Sequence, residues 1–355
     1  MMTMLHVLDR ARRFRGTLMD AAGLGPEEAP HRVLTSRPGF RLRAYGGPAA
    51  GPTFVIVPAP IKRAYIWDLA PGASAVRHAL AAGLRVYLVE WTVPDGTTAD
   101  FGLARYAGDL LLEALDGVAA DGGDRRVLLA GHSLGGTLAA IFAACRPERV
   151  RGLVLLEAPL AFGPKAGVLA ALVAGTPPLD GLHAALGTVP GSFLTGVSAA
   201  AAPDSFVTEV WRDRLVSLAN PRDAILHSRV IRWTLDELPM PGRLFEDIVE
   251  DLYRLDLFAQ GRLRIGGQTA GPDRLRLPIL AVVDPHSTVI PPESTLSALA
   301  ARDVRVLNYT GDRGVALRHV GVLVGHSAHG TLWPAIHAWM AALEREPPRP
   351  VEAEG

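Results

Sequence analysis

The chemistry of this sequence centres on one serine placed between glycines. The segment GHSLG runs from Gly131 through His132, Ser133 and Leu134 to Gly135, directly after the apolar run RVLLA. Glycines two positions away on either side leave room for a sharp strand-to-helix turn that would expose the serine. The helix that follows would direct backbone N–H groups at an anion forming beside Ser133. The segment therefore predicts a nucleophile elbow that forms an acyl-serine.

A serine nucleophile needs a base to take its proton and a carboxylate to orient that base. In folds built around this turn, the chain order is serine, then acid, then histidine. Asp284 closes the run RLPILAVVD and is the predicted acid. His319 follows the last strand-like run by one loop and is the predicted base.

Other residues could fill these two roles, and they stand in weaker places. Asp303 opens a strand-like run, and Asp312 lies in a glycine turn. His326 and His329 are the rivals of His319, but they lie closer to the final helix, while His286 is expected at the rim of the site.

An oxyanion formed at Ser133 needs two backbone donors. The N–H of Leu134 is the first, and the second is expected from the loop after the run TFVIV. The prolines at positions 58 and 60 have no N–H, which leaves Ala59 or Ile61 as the donor. Ile61 is favoured.

The elements that position these residues alternate between strand and helix. Apolar strand-like runs are expected at 53–57, 84–90, 126–130, 150–158, 276–284 and 303–309. Amphipathic helical patterns separate the first four, which indicates a mostly parallel sheet covered by helices on both faces. This order and the elbow together predict an α/β-hydrolase fold.

The alternation stops for about a hundred residues after Pro159, where loops and helical patterns replace strands. An insertion at that point is expected to cover the carboxyl edge of the sheet as a lid. The predicted organisation is an N-terminal segment at 1–45, an α/β-hydrolase core at 46–158 and 273–345, a helical lid insertion at 159–272 and a disordered tail at 346–355.

Composition excludes several other classes of protein. The 36 basic and 36 acidic residues cancel, so nucleic acid is not an expected partner. Cys145 is the only cysteine, which excludes an internal disulfide framework, and no histidine spacing predicts a metal site. No apolar run reaches the length of a membrane span. We therefore expect a cytoplasmic protein without a cofactor and without a transmembrane segment.

Residues 57–96 resemble the corresponding region of polyhydroxyalkanoate synthases. The shared features are a proline turn, a Tyr-Ile-x-Asp-Leu stretch and a strand ending in tryptophan, here Pro58, Tyr65, Ile66, Asp68, Leu69 and Trp91. The segments VIRWTLDELPMPGRLFEDIVEDLYRLDLFAQGRL, VVDPHSTVIP and RHVGVLVG are also similar, so the resemblance covers about residues 50–345. It implies Asp284 and His319 as site residues. The overall size is similar to that of the short synthases that work with a partner subunit.

Ser133 departs from that family, whose elbow carries a cysteine. An acyl-serine is an ordinary ester that water or an alcohol can resolve. The leading expectation is therefore a serine hydrolase acting on an ester or thioester of an apolar hydroxyacyl group, from a polymer, an oligomer or acyl-CoA. The alternatives are an acyltransferase that acts as a synthase-like polymerase and a granule-associated protein without catalysis. A homodimer is left open.

Overall fold

The six strand-like runs of the sequence and two further strands, at 32–37 and 40–46, form one eight-stranded sheet. The computed structural model describes residues 2–163, 166–179, 181, 183–184, 187–315 and 318–345. The strand order is β1-β2-β4-β3-β5-β6-β7-β8, with β2 antiparallel to both of its neighbours and the other pairs parallel. The strands are β1 Arg32–Arg37, β2 Phe40–Gly46, β3 Thr53–Val57, β4 Arg85–Trp91, β5 Val127–His132, β6 Val150–Leu156, β7 Ile279–Val283 and β8 Val304–Asn308.

Helices cover both faces of this sheet, which confirms the predicted α/β-hydrolase architecture. In β3 the side chains alternate, so that Val55 and Val57 face one core while Phe54 and Ile56 face the other. The helices are α1 Met2–Ala21, α2 Ala75–Ala81, α3 Leu110–Ala120, α4 Leu134–Cys145, α5 Val168–Ala174, α6 Gly191–Ala201, α7 Glu209–Ser217, α8 Pro221–Thr234, α9 Gly242–Asp247, α10 Pro292–Leu296, α11 Arg318–Val324 and α12 Trp333–Arg345.

The long connection between β6 and β7 contains helices α5 to α9 and two short ribbons. The ribbons pair Thr188–Val189 with Met240–Pro241 and Leu263–Ile265 with Gln268–Ala270, and neither joins the eight-stranded sheet. Within its described residues, this region therefore contributes no strand to the eight-stranded sheet. We call the connection, residues 159–272, the cap.

The N-terminal helix α1 packs against the cap. The Asp9 carboxylate accepts a hydrogen bond from the Ser192 N–H at 2.8 Å, and the Arg12 Nη2 donates to the Thr234 carbonyl at 2.6 Å. Polar side chains thus help to dock this helix on the cap.

The described helices include none that is both long enough and apolar enough to cross a bilayer. In the same residues, no group of three histidine, cysteine or acidic side chains is placed to hold a metal ion. The predicted disordered tail, 346–355, lies outside the described residues.

Candidate active site

Ser133 lies in a strained turn between β5 and α4. Its backbone has φ 54° and ψ −132°, a conformation that residues other than glycine adopt rarely. The Ser133 N–H donates to the Leu156 carbonyl of β6 at 3.0 Å, which fixes the turn to the neighbouring strand. Leu134 begins α4 directly afterwards, and so its N–H lies beside the serine, where the first oxyanion donor is predicted.

Glycines around the serine let three backbone segments meet. A Cβ atom on Gly131 would lie 2.5 Å from the Gly135 carbonyl carbon. A Cβ atom on Gly135 would lie 2.6 Å from the Pro58 carbonyl carbon and 2.8 Å from the Ala59 nitrogen. Any side chain at position 135 would therefore push the loop after β3 away from the elbow.

The loop after β3 supplies both candidates for the second oxyanion donor. Ala59 and Ile61 each line the cavity that contains Ser133. The Pro58 carbonyl accepts a hydrogen bond from the Trp91 Nε1–H at 2.7 Å, and the Ile61 carbonyl accepts one from the Leu238 N–H at 3.2 Å. The loop is thus fixed on both sides, by β4 and by the cap, and the choice between the two donors stays a prediction.

His132 connects the elbow to α11. Its Nε2 lies 2.9 Å from the His319 carbonyl oxygen, and the two imidazole centroids are 4.3 Å apart. Burial lowers the pKa of His132 to about 3, so the ring is neutral near pH 7. Because a carbonyl oxygen only accepts hydrogen bonds, the Nε2 of His132 carries the proton and donates a hydrogen bond to the carbonyl oxygen of His319.

His319 lies in the first turn of α11 and lines the same cavity as Ser133. Burial lowers its pKa to about 4, while the charge of Asp284 acts in the opposite direction. The imidazole is therefore neutral near pH 7 and has a lone pair available for a proton. The Nδ1 of His319 lies 2.8 Å from the Oε2 of Glu157.

Glu157 follows β6 directly and is 2% exposed. Burial raises the pKa of its carboxyl group, and the neighbouring His132 opposes that rise. The sequence analysis did not single out this residue. A sequence signal for it was nevertheless present, because Glu157 follows the apolar run VRGLVLL directly, as Asp284 follows RLPILAVV.

Asp284, the predicted acid, follows β7 and is also 2% exposed. Its Oδ1 accepts a hydrogen bond from the Arg318 Nη2 at 3.0 Å, and its Oδ2 lies 2.5 Å from the Arg318 Nε. The Oδ1 also accepts the N–H of His286 at 2.9 Å. The structure thus pairs Asp284 with Arg318, the residue that precedes His319. The carboxylate that contacts the His319 ring is that of Glu157.

The rival histidines lie elsewhere in the described chain. His326 places its Nε2 3.0 Å from an Asp223 oxygen at an exposed position, and His329 stacks on His78 with centroids 5.3 Å apart. The side chain of His286 is 69% exposed. Among the described residues that line the Ser133 cavity, His319 is present and these three are absent.

The cavity at Ser133 has a volume of about 1220 Å³ and is walled by α1, the loop after β3 and the cap. Its apolar wall includes Met19, Phe193, Ile231, Trp233, Phe245 and Tyr253. Cationic side chains also reach it, namely Arg12, Arg15, Lys62, Arg63 and Arg214. The site therefore combines a serine, a neutral histidine and a large apolar chamber with positively charged parts.

Comparison with known proteins gives the class to which this site belongs. The model of the alpha/beta hydrolase family matches residues 46–240, and the chain belongs to that family. The fold is also that of the monoacylglycerol lipase of Paleococcus ferrophilus, with a TM-score of 0.54, 18% identity and coverage of 86% of this chain and 99% of the lipase.

The sequence relatives are more specific. The "Poly(3-hydroxyalkanoate) polymerase subunit PhaC" of Haloferax mediterranei is 32% identical over 294 residues, covering 81% of this chain and 58% of that protein. The protein of the same name from Allochromatium vinosum is 25% identical over 346 residues, covering 94% and 96%. The chain thus spans little more than half of the first relative and nearly all of the second. These matches confirm the resemblance predicted from the sequence, and with the fold they indicate an enzyme.

Proposed function

We propose that this protein is an acyltransferase that joins hydroxyacyl groups from their CoA thioesters through an acyl-Ser133 intermediate. The observation that carries the proposal is Ser133 in its strained elbow, in one apolar cavity with the neutral imidazole of His319. Relatives named as polymerases support this reaction over the hydrolysis favoured by the sequence alone.

The reaction follows from the groups in the cavity. His319 takes the Ser133 proton as the oxygen attacks the thioester carbonyl, and the oxyanion receives N–H groups from Leu134 and from the loop after β3. The carbon–sulfur bond then breaks, and the thiol leaves with the proton held by His319. The hydroxyl of a second hydroxyacyl group attacks the carbonyl carbon of the acyl-serine, and its proton passes to His319. The bond between that carbon and the Ser133 oxygen breaks as His319 returns the proton to the serine, and one new ester bond has formed.

The cavity wall fits such a substrate. An apolar acyl chain would bury its surface against side chains such as Phe193 and Phe245, and the cations Arg12 and Arg15 would attract an anionic leaving group. In this proposal the cap acts as the lid that opens for substrate. A cytoplasmic location and a homodimer stay predictions.

Hydrolysis is the second candidate, and the serine itself favours it. Ser133 forms an oxygen ester, which lacks the reactivity that a cysteine thioester keeps toward another hydroxyl. If water reaches the acyl-serine faster than a second hydroxyacyl group does, the product is the free acid.

The test is a product analysis with 3-hydroxybutyryl-CoA. Wild type and Ser133→Ala are incubated with the thioester, released CoA is measured with a thiol reagent, and the acyl product is separated by size. We expect CoA release with polymer for wild type and no release for Ser133→Ala. CoA release with 3-hydroxybutyric acid as the sole product would replace the proposal with hydrolysis.

Labelling with a fluorophosphonate separates both reactions from a protein without catalysis. Rapid modification of wild type at Ser133 is expected, and Ser133→Ala is the control. A wild-type protein that neither labels nor releases CoA would contradict the enzymatic proposal and favour the granule-associated alternative.

A further inference from the structure

Two buried carboxylates lie near His319, and only one of them contacts its ring. The Oε2 of Glu157 is 2.8 Å from the Nδ1 of His319, whereas Asp284 is engaged by Arg318. We infer that Glu157 is the residue that positions His319 for catalysis, and that Asp284 anchors the chain at the start of α11 instead. This inference rests on the proposed role of His319 as the base.

The contact with Glu157 selects the useful tautomer of His319. An ionised carboxylate only accepts hydrogen bonds, so the imidazole donates from Nδ1–H. The proton on Nδ1 leaves the lone pair on Nε2, the nitrogen that must take the proton of Ser133. A carboxylate at Nδ1 also stabilises the imidazolium that forms once that proton has moved.

The backbone at Glu157 supports a functional role. Its φ is 44°, and among the described residues other than glycine only Ser133 and Asp256 share a positive φ. The Glu157 N–H donates to the Val282 carbonyl of β7 at 2.9 Å, which holds the turn in place. Backbone strain of this kind persists where the surrounding structure enforces it.

Neighbouring strands bring this turn to the elbow. His132 and Leu156 are register partners in β5 and β6, and Ser133 donates its N–H to Leu156. Glu157 is therefore one residue beyond the elbow's own hydrogen-bond partner. Asp284 ends β7, which lies one strand further from β5.

Asp284 has its oxygen atoms occupied by other donors. Oδ1 accepts from the Arg318 Nη2 and from the His286 N–H, and Oδ2 lies against the Arg318 Nε. Because Arg318 directly precedes His319, this ion pair fixes where α11 begins. Its expected contribution is to the position of the backbone and to stability.

Charged and titratable groups around Glu157 define how the pair responds to pH. His132, His319, Arg318, Asp284 and Tyr309 face or influence its carboxyl group. A protonated Glu157 would donate to Nδ1 and leave the proton on Nε2, where it blocks the base. Acylation is therefore expected to rise with pH as Glu157 loses its proton, and this limb of the pH profile should disappear in Glu157→Gln.

The test compares three carboxylate variants with wild type, using acylation by p-nitrophenyl butyrate. Glu157→Gln is expected to lower kcat by about 10²–10⁴-fold with KM changed less than about threefold. Glu157→Asp should restore part of kcat because it returns a carboxylate. Asp284→Asn should lower the melting temperature and reduce kcat by no more than about tenfold.

Glu246 supplies a matched control outside the site. Its Oε2 also lies 2.8 Å from the Nδ1 of a histidine, His183, and neither residue is among the described lining of the Ser133 cavity. Glu246→Gln is expected to leave the kcat and the pH profile unchanged.

A readout without turnover separates this inference from the proposed function. Nitrogen-15 NMR of histidine-labelled protein, with His319→Gln to assign the signal, reports which ring nitrogen carries the proton. At a pH high enough to ionise Glu157, we expect the Nδ1–H tautomer in wild type and its loss in Glu157→Gln, whichever reaction the enzyme catalyses. Retained Nδ1–H and near-normal kcat in Glu157→Gln, with both lost in Asp284→Asn, would overturn the inference and return the acid role to Asp284.

Discussion

Replacing Gly135 by alanine should separate the elbow from the loop that completes the oxyanion site. The added Cβ would lie 2.6 Å from the Pro58 carbonyl carbon and 2.8 Å from the Ala59 nitrogen, with the Val57 carbonyl oxygen closer still. All of these are backbone atoms, so no side chain can rotate away. An ordinary contact begins near 3.4 Å, which requires the end of β3 and the loop after it to withdraw by about 0.6–1.2 Å.

That displacement sets the expected magnitude. A shift approaching 1 Å at a reacting group lowers turnover by about 10²-fold, and the loss of one oxyanion donor by about 10²–10³-fold. We expect Gly135→Ala to lower kcat by about 10–100-fold because the donor is displaced and not removed. Overpacking should also cost about 1–3 kcal/mol of the free energy of unfolding.

The assay measures burst and steady-state release of p-nitrophenol from p-nitrophenyl butyrate, together with denaturant unfolding. Gly196→Ala in α6 is the matched control, because a Cβ there meets no atom within 4 Å. It should retain full activity and gain up to about 1 kcal/mol of stability from helix propensity. A Gly135→Ala enzyme that acylates within twofold of wild type would refute the inferred contact between elbow and loop.

Three further predictions follow from the same structure. His319→Ala should lower the acylation rate by about 10³–10⁴-fold in the p-nitrophenyl assay, and near-normal activity would move the base elsewhere. Burial lowers the pKa of His329 and His337 to about 4 in the folded protein, compared with about 6.5 in the unfolded chain. Between these two values the unfolded chain binds more protons than the folded protein, so the free energy of unfolding should fall as the pH is lowered from about 6.5 toward 4. His337→Gln should flatten that loss in urea titrations at several pH values, and an unchanged slope would contradict it. The Lys62 Nζ lies 2.5 Å from the Glu237 Oε1, and Glu237→Gln removes this ion partner. The variant should lower the free energy of unfolding by about 2 kcal/mol, which is less than for a fully buried pair because the Lys62 side chain is partly exposed to solvent. The double change to Lys62→Met with Glu237→Leu should recover most of that loss, and no recovery would show that the pair is not the cause.

Local patterns in the sequence were enough to predict the elbow and six of the eight strands of the sheet. The run TFVIV is β3 without a shift, because consecutive apolar residues have few alternatives to a buried parallel strand. The run 303–309 contains β8, a more exposed strand at the edge of the sheet. Ser133 was predictable for a similar reason, since the glycines that its turn requires are adjacent to it in the chain.

Contacts between distant segments were not predictable in the same way. Glu157 and Asp284 both end apolar strands, and their sequence patterns are equivalent. Which of them contacts His319 depends on how α11 enters the site and on where Arg318 finds a partner. Those are properties of the folded chain, and chain order does not decide between the two acids, because both lie between Ser133 and His319.

The docking of α1 on the cap also governs when the cavity can form. The hydrogen bond from Arg12 to Thr234 joins residues 222 positions apart. During synthesis α1 leaves the ribosome well before its partner, which emerges only after most of the sheet has been made. The entropy of closing so long a loop opposes this contact until the intervening strands have folded. This side of the cavity therefore cannot close until Thr234 has been synthesised, after the strands β1 to β6.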